Sequence, residues 1–249
     1  MTNNVQFDFA GTTVLLTGGT SGIGYATAIL MRDAGAEVTV TGTKPSASDY
    51  DVDLTGLTYQ QLEVTDRLAV DKLAASLESL DVLINNAGAN FPGGLDESTP
   101  EGFDASVALN LLAPFRLTNA CHRALKASSA SGGASVVMLA SLAAMRAVPV
   151  VPGYGSAKSG VLALTRNLAV KWAPDGVRVN AVVPGVTATR MTAPMDYVPE
   201  AKQEQIDHIP MGRFANPDEI AASIAYLCSN AAAYCTGTAL VVDGGYSVV

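Results

Sequence analysis

Short runs of Val, Leu and Ile alternate along this chain with longer stretches in which apolar residues recur every three or four positions. The first unit reads Thr13-Val14-Leu15-Leu16, a glycine-rich turn, an amphipathic run from Tyr25 to Ala34, and then Ala36 to Thr41. That predicts strand, turn, helix, strand. The pattern repeats: Tyr59 to Leu62 is a short strand, Arg67 to Leu77 a helix, Asp81 to Ile84 a strand, Glu101 to Lys126 one long helix, and Ser135 to Leu139 a strand. A helix from about Tyr154 to Ala173 stops at Pro174-Asp175-Gly176 and leads into the strand Val177 to Val183. Asn216-Pro217-Asp218-Glu219 supplies a capping residue, a proline at the first helical position and a glutamate at the third. A helix is therefore expected to about Ser229, with a last strand over Gly237 to Val242.

Nearly continuous apolar strands separated by helices are the mark of parallel strands covered on both faces. The expected fold is α/β, a single-domain doubly wound parallel sheet with helices on both faces, over residues 1–249. An antiparallel sandwich would need turn signals every ~10 residues and strict alternation, and neither is present. Only Lys44 to Leu57 breaks the pattern. Pro45, three Asp and two Ser leave no helical period where a crossover helix would fit, so an irregular connection is expected.

Composition narrows the partners. Hydrophobic residues make up 49% and charged residues 15% of 249, which predicts a large core and surface buried between subunits. Leu111, Leu112, Phe115 and Leu117, with Val161, Leu162 and Leu164, make two helices apolar on more than one face, and an oligomer is expected. A net charge of −8 argues against nucleic acid as a partner. Cys121, Cys228 and Cys235 lack paired spacing, and Cys121 and His122 would project about 100° apart on a helix, so no metal site is expected. Met1 to Ala10 has no basic leader and no run reaches roughly 18 apolar residues, which predicts a cytoplasmic protein away from membranes.

Two features carry chemistry. Tyr154 and Lys158 stand four apart, thirteen positions after Ser141. On a helix they share one face, so a cation placed near the phenol would lower its pKa and make it an acid/base group. Between the first strand and first helix lies Thr17-Gly18-Gly19-Thr20-Ser21-Gly22-Ile23-Gly24. There Gly18 permits a tight turn, Gly22 lets backbone N–H groups approach a pyrophosphate, and Gly24 allows close helix packing.

With Asn85-Asn86-Ala87-Gly88 after the fourth strand, Asn110 in the long helix, and Pro184-Gly185-Val186-Thr187-Ala188-Thr189 after the sixth, the chain resembles the short-chain dehydrogenase/reductase family over nearly its whole length. The resemblance implies a Rossmann-like fold, hydride transfer to or from a nicotinamide cofactor, and a homotetramer as the assembly. It implies Asn110, Ser141, Tyr154 and Lys158 as the catalytic set: Tyr154 as proton donor or base, Lys158 on the nicotinamide ribose, Ser141 at the substrate oxygen, Asn110 holding a water. The implied cofactor contacts begin with Gly18, Thr20, Ser21, Gly22, Ile23 and Gly24, and continue with Thr43 and Lys44 after the second strand and Glu63 and Val64 after the third. Asn86, Ala87, Gly88, Pro184, Gly185, Thr187, Thr189, Tyr154 and Lys158 complete them. Gly42 stands where NAD-preferring members usually have an acid, and Thr43 and Lys44 can donate to a phosphate, so the reading leans to NADP over NAD.

Met191, Met195, Tyr197, Val198, Ile206, Ile209 and Met211 suggest a substrate lid over about 186–213. Val148, Val150, Val151, Gly153 and Phe91 are expected along the substrate pocket. No cluster of arginines is visible in the sequence, which points to a largely apolar ketone or secondary alcohol as the small-molecule substrate. The alternatives are a 3-oxoacyl-[acyl-carrier-protein] reductase, weakened by Asp175 and by the absence of basic residues from Ala127 to Ala134, and a non-catalytic dinucleotide-binding sensor.

Overall fold

The computed structural model describes residues 5–249; the reading of the extreme N-terminus falls in part on residues 1–4, outside the described residues. Seven strands form one sheet: β1 (Thr13–Thr17), β2 (Glu37–Gly42), β3 (Thr58–Gln61), β4 (Val82–Asn85), β5 (Ala134–Leu139), β6 (Val177–Pro184) and β7 (Ala239–Val242). Their order is β3-β2-β1-β4-β5-β6-β7, and every pairing is parallel. The helices are α1 (Gly22–Asp33), α2 (Arg67–Ser76), α3 (Pro100–Val107), α4 (Ala113–Lys126), α5 (Pro152–Trp172), α6 (Pro199–Asp207) and α7 (Pro217–Cys228). The chain is the doubly wound, Rossmann-like sheet that its apolar pattern predicts.

The period-two pleat divides the core. Val14, Leu16, Val82, Ile84, Val137 and Val182 face Met31 of α1 and Ile220, Ile224 and Leu227 of α7. Leu15, Leu83, Val136, Met138 and Val179 face Leu73 of α2, Leu117 and Leu125 of α4, and Trp172 of α5. Leu16, Ile84, Met31 and Ile224 have no measurable exposure; truncating any of them to alanine costs about 2–5 kcal/mol.

The order in which strands are added reverses at β1, which pairs with β2 on one side and β4 on the other. Helices leave to opposite faces there, so a crevice opens beyond the carboxyl ends of β1 and β4.

Three expectations change in detail. The helix expected over Glu101 to Lys126 is α3, a π turn at Ala108–Leu112, and α4. Helix α1 begins at Gly22 rather than Tyr25, and α5 begins at Pro152, where a proline has no N–H to lose. The 44–57 connection is irregular apart from one turn, Ala47–Asp49, capped reciprocally by Ser46 and Asp49. Helix α7 starts with the Asn216/Glu219 capping box that its sequence spells out. Among the described residues no helix is long and apolar enough to cross a membrane.

Candidate active site

The crevice is pinned before it is lined. Thr17 Oγ1 accepts from Asn86 N (3.1 Å) and Ala87 N (3.0 Å), and Asn86 Nδ2 donates to the carbonyls of Thr17 (2.9 Å) and Gly18 (3.0 Å). One threonine and one asparagine thereby tie the ends of β1 and β4 together. Gly24 packs so tightly on the turn that a Cβ there would strike the Gly18 carbonyl. Ser21 precedes α1 but gives it no side-chain cap, so the first N–H groups of the helix stay open toward the crevice. Unpaired donors at the positive end of a helix suit a phosphate.

A cleft of about 740 Å³ runs from this turn across the ends of β4, β5 and β6, a volume within the range of small-molecule sites. Of the residues proposed from sequence, it gathers Gly18, Thr20, Ser21, Gly22, Ile23, Thr43, Lys44, Asn86, Ala87, Gly88, Ser141, Tyr154, Lys158, Pro184, Gly185, Thr187 and Thr189. A neighbouring cavity of about 830 Å³ lies between α1, the 188–196 segment and the start of α7. It lacks Ser141, Tyr154 and Lys158, which the first cleft brings together.

Ser141 follows β5 and caps the turn Leu142–Ala144, its Oγ accepting from Ala143 N at 3.2 Å. That bond fixes the hydroxyl oxygen and leaves its proton to donate. Lys158 is buried; its Nζ donates to the Leu139 carbonyl at 2.7 Å and lies 5.5 Å from the centre of the Tyr154 ring. Burial pushes the Lys158 ammonium down to about 8. The expectation that Lys158 would lower the Tyr154 pKa changes here: burial holds the phenol above its ordinary value, the Ser141 hydroxyl works against that, and the Glu97 charge adds to it. The ammonium is aimed at a strand carbonyl, and desolvation outweighs its attraction for a phenolate.

Glu97 is the residue that sequence reasoning missed. It is fully buried, accepting from Tyr154 N at 2.6 Å and from Phe91 N at 2.9 Å. Val151 gives α5 no side-chain cap, so a carboxylate 57 residues away satisfies an open donor of its first turn. Asn110 sits in the π turn, also fully buried. Its Nδ2 donates to Ala89 O (2.9 Å) and Ser106 O (3.0 Å), and its Oδ1 accepts from Ala89 N (3.1 Å). The side chain thus holds the irregular segment that follows Gly88 rather than facing the cleft.

Glu63 and Val64 do not join the cleft. Glu63 turns its carboxylate back on Thr65, accepting from its N (3.3 Å) and Oγ1 (3.0 Å), and Val64 is in the core. The end of β2 is furnished instead by Tyr50, from the irregular connection. Its hydroxyl accepts from Lys44 N at 2.9 Å, meets the Tyr59 hydroxyl at 3.3 Å, and fills the space that a Cβ on Gly42 would need. Lys44 reaches the Asp49 carbonyl with its Nζ 4.9 Å from the Tyr50 ring centre.

At the other end, Leu142, Val148, Val151, Met191 and Met195 give apolar walls, while Arg146, Arg190, Gln205 and Tyr246 add polar ones. Two arginines 44 positions apart meet on one cleft, which no spacing in the sequence announces. Val150, Gly153 and Phe91 are not on its lining. Val150 points to solvent, Gly153 packs against Ser106 and Phe103, and Phe91 is half exposed in a left-handed conformation (φ 48°). His122 is engaged with Asp175 (3.0 Å) and stacked on Trp172. Among the described residues no three His, Cys, Asp or Glu side chains converge as metal ligands.

With this geometry in hand, likenesses can be set beside it. The family described as "Enoyl-(Acyl carrier protein) reductase" matches residues 18–247. A tropinone reductase homolog of Datura stramonium is 34% identical over 98% of this chain and 94% of its own length. The cis-4-hydroxycyclohexanecarboxylate dehydrogenase of Sinomonas cyclohexanicum is 35% identical, over 97% and 98%. The Pseudomonas aeruginosa RhlG/NADP active-site complex superposes with a TM-score of 0.86 at 29% identity, covering 98% of this chain and 99% of that one.

Proposed function

This chain belongs to the short-chain dehydrogenase/reductase family and is an oxidoreductase of that kind, and we propose that its cleft works on a secondary alcohol or ketone with NADP as the preferred coenzyme. The observation that carries the reading is the convergence of the Ser141 and Tyr154 hydroxyls, over a buried Lys158, on the same cleft as the uncapped start of α1. The open N–H groups of α1 suit the coenzyme's pyrophosphate, and Thr187, Pro184 and Gly185 would flank its nicotinamide half. When bound, the coenzyme supplies or accepts the hydride.

The chain's own part is to place and move a proton. Ser141 Oγ, with its oxygen already accepting from Ala143 N, donates to the substrate oxygen and stabilises charge there. Tyr154, kept protonated by burial at neutral pH, gives its proton to that oxygen in reduction and must lose it first in oxidation. Lys158, anchored on Leu139 O, would hold the nicotinamide ribose. Asn110 and Glu97 hold the 88–91 segment and the first turn of α5 in place.

The lean to NADP rests on the end of β2. Thr43, Lys44 and the Tyr50 hydroxyl offer donors there, and no carboxylate lines the cleft to repel a 2′-phosphate. The RhlG relative carries NADP in its active site, and the Sinomonas relative is named for oxidising a ring alcohol; both support the class of chemistry. The carrier-protein reductase reading is weakened because Lys126 is paired with Asp175 at 2.6 Å and Arg123 donates to the Leu77 carbonyl. We take residues 186–213, which include α6, as the substrate lid. Unpaired cysteines, two of them buried, support a cytoplasmic setting. Phe103, Leu112 and Phe115 on the α3–α4 face, and Tyr226, Tyr234 and Val248 near the C-terminus, are exposed in the protomer and would form two tetramer interfaces.

The decisive measurement follows nicotinamide absorbance with NADPH and NADH against cyclic and linear ketones. Turnover favouring NADPH is the expected result. No consumption of either coenzyme with any ketone or alcohol would overturn the reading.

A further inference from the structure

The chain carries 23 acidic side chains, yet none lines the cleft, whereas Lys44, Arg146, Lys158 and Arg190 do. Lys158 is used by Leu139 O and Lys44 by the Asp49 carbonyl. Among the described residues neither Arg146 nor Arg190 has a side-chain hydrogen bond or an ion pair, and of the two it is Arg146 that is held on an aromatic face, over the ring of Tyr246, 4.4 Å from the centroid.

The support is built. Tyr246 is buried, stacks on its own account with His208 (5.9 Å between ring centres), and donates its hydroxyl to Gln205 Oε1 at 3.2 Å. Gln205 keeps its amide donor for the cleft. Arg146 itself follows Ser141 by five residues across the capped turn, with its backbone N bound to Leu142 O at 3.1 Å. The proton-donating serine and the unpaired guanidinium therefore ride on one short, hydrogen-bonded connection. Between and around them the walls are apolar, from Leu142, Val148, Val151 and Met195.

We propose that Arg146 receives a carboxylate on the substrate, so that the compound turned over is a hydroxy acid or keto acid with an apolar body. A guanidinium held on an aromatic face keeps its N–H edge free for a two-pronged carboxylate, and stacking reduces the freedom lost on binding. The carboxylate takes no part in bond changes: the carbinol carbon still loses hydride and its hydroxyl still loses a proton. This rests on the oxidoreductase reading and names its substrate class.

The test compares 4-oxocyclohexanecarboxylate with its methyl ester, using NADPH and the wild type, Arg146→Gln and Arg146→Lys. The wild type should prefer the acid. The ratio of kcat/KM for acid over ester should fall roughly 10- to 100-fold in Arg146→Gln, the loss of charge-assisted hydrogen bonds, with Arg146→Lys between. A ratio that does not change, a wild type preferring the ester, or NADPH affinity that falls in step in Arg146→Gln would each overturn the assignment. If no ketone is consumed at all, the oxidoreductase reading fails on its own. The carboxylate site is then judged by thermal shift: stabilisation by the acid in the wild type and not in Arg146→Gln supports it, and equal or absent stabilisation overturns it.

Discussion

Lys158 and Lys202 each hold one oxygen at nearly the same distance, 2.7 Å to Leu139 O and 2.6 Å to Asp196 Oδ1. The first is 4% exposed and bridges β5 to α5; the second pairs side chains 39% and 58% exposed within the 186–213 segment. They stand for two segments: the β5–α5 side, which lines the cleft through Lys158, and the 186–213 segment opposite it, whose Lys202 and Asp196 line the neighbouring cavity. On the β5–α5 wall the supporting bonds come from far along the chain and are buried: Glu97 to Tyr154, Asn110 to Ala89, Lys158 to Leu139. On the opposite wall they are local, as in Thr192 Oγ1 to the carbonyls of Thr187 and Thr189, and some lie at the surface, as Lys202 to Asp196 does. Bonds across distant chain fix geometry, whereas local exposed ones let a segment open without disturbing the core.

The largest break in this contrast should come at the reacting group. Tyr154→Phe removes the proton without disturbing the wall and should cut kcat by about 10²- to 10⁴-fold, with NADPH affinity by fluorescence retained. Turnover close to the wild type would remove Tyr154 from its role.

Next is the buried cation. The Lys158 pKa is depressed to about 8 from 10.5, so the unfolded chain binds more protons between those values and stability gains with pH across that window. Against Lys158→Met, the wild type should gain about 2 kcal/mol between pH 8 and 10. Chemical unfolding of both proteins across that range checks it; parallel curves would mean that the lysine is better solvated than its place implies.

Glu97→Gln sharpens the comparison from the side. The Glu97 charge helps to hold the Tyr154 phenol up, so its removal should move the alkaline limb of alcohol oxidation to lower pH, with a loss of about tenfold in kcat as the α5 cap weakens. An unmoved limb would leave Glu97 as scaffold alone. The smallest effect belongs to the exposed wall: Lys202→Ala should change unfolding free energy by under about 0.5 kcal/mol. A larger loss, by denaturant titration, would show that this wall is more than locally held.

Much of the scaffold could be read from residue order. The nearly continuous apolar runs marked the strands, and the glycine turn and the Tyr154/Lys158 spacing are local in sequence, where pattern speaks. Glu97, Tyr50 and Arg146 could not be read. Each sits in a connection with no period, and each acts on a partner brought near only by folding: Tyr154 N, the Gly42 backbone and Tyr246. The π turn at Asn110 was hidden for a related reason, since one extra residue in a helix leaves its apolar pattern almost intact. The direction of the Tyr154 shift was misjudged because spacing gives proximity but not where Nζ points.

Tyr50 also dictates an order of events. Its hydroxyl takes the room of any side chain at position 42, and it is tethered there by Lys44 N and Tyr59. Planting an aspartate at Gly42 to redirect the enzyme toward NAD therefore meets a collision while Tyr50 remains, and becomes tolerable only after that ring has been trimmed. A lineage or a designer changing the currency of this enzyme has one passable route through the pair, and the loop must yield before the strand.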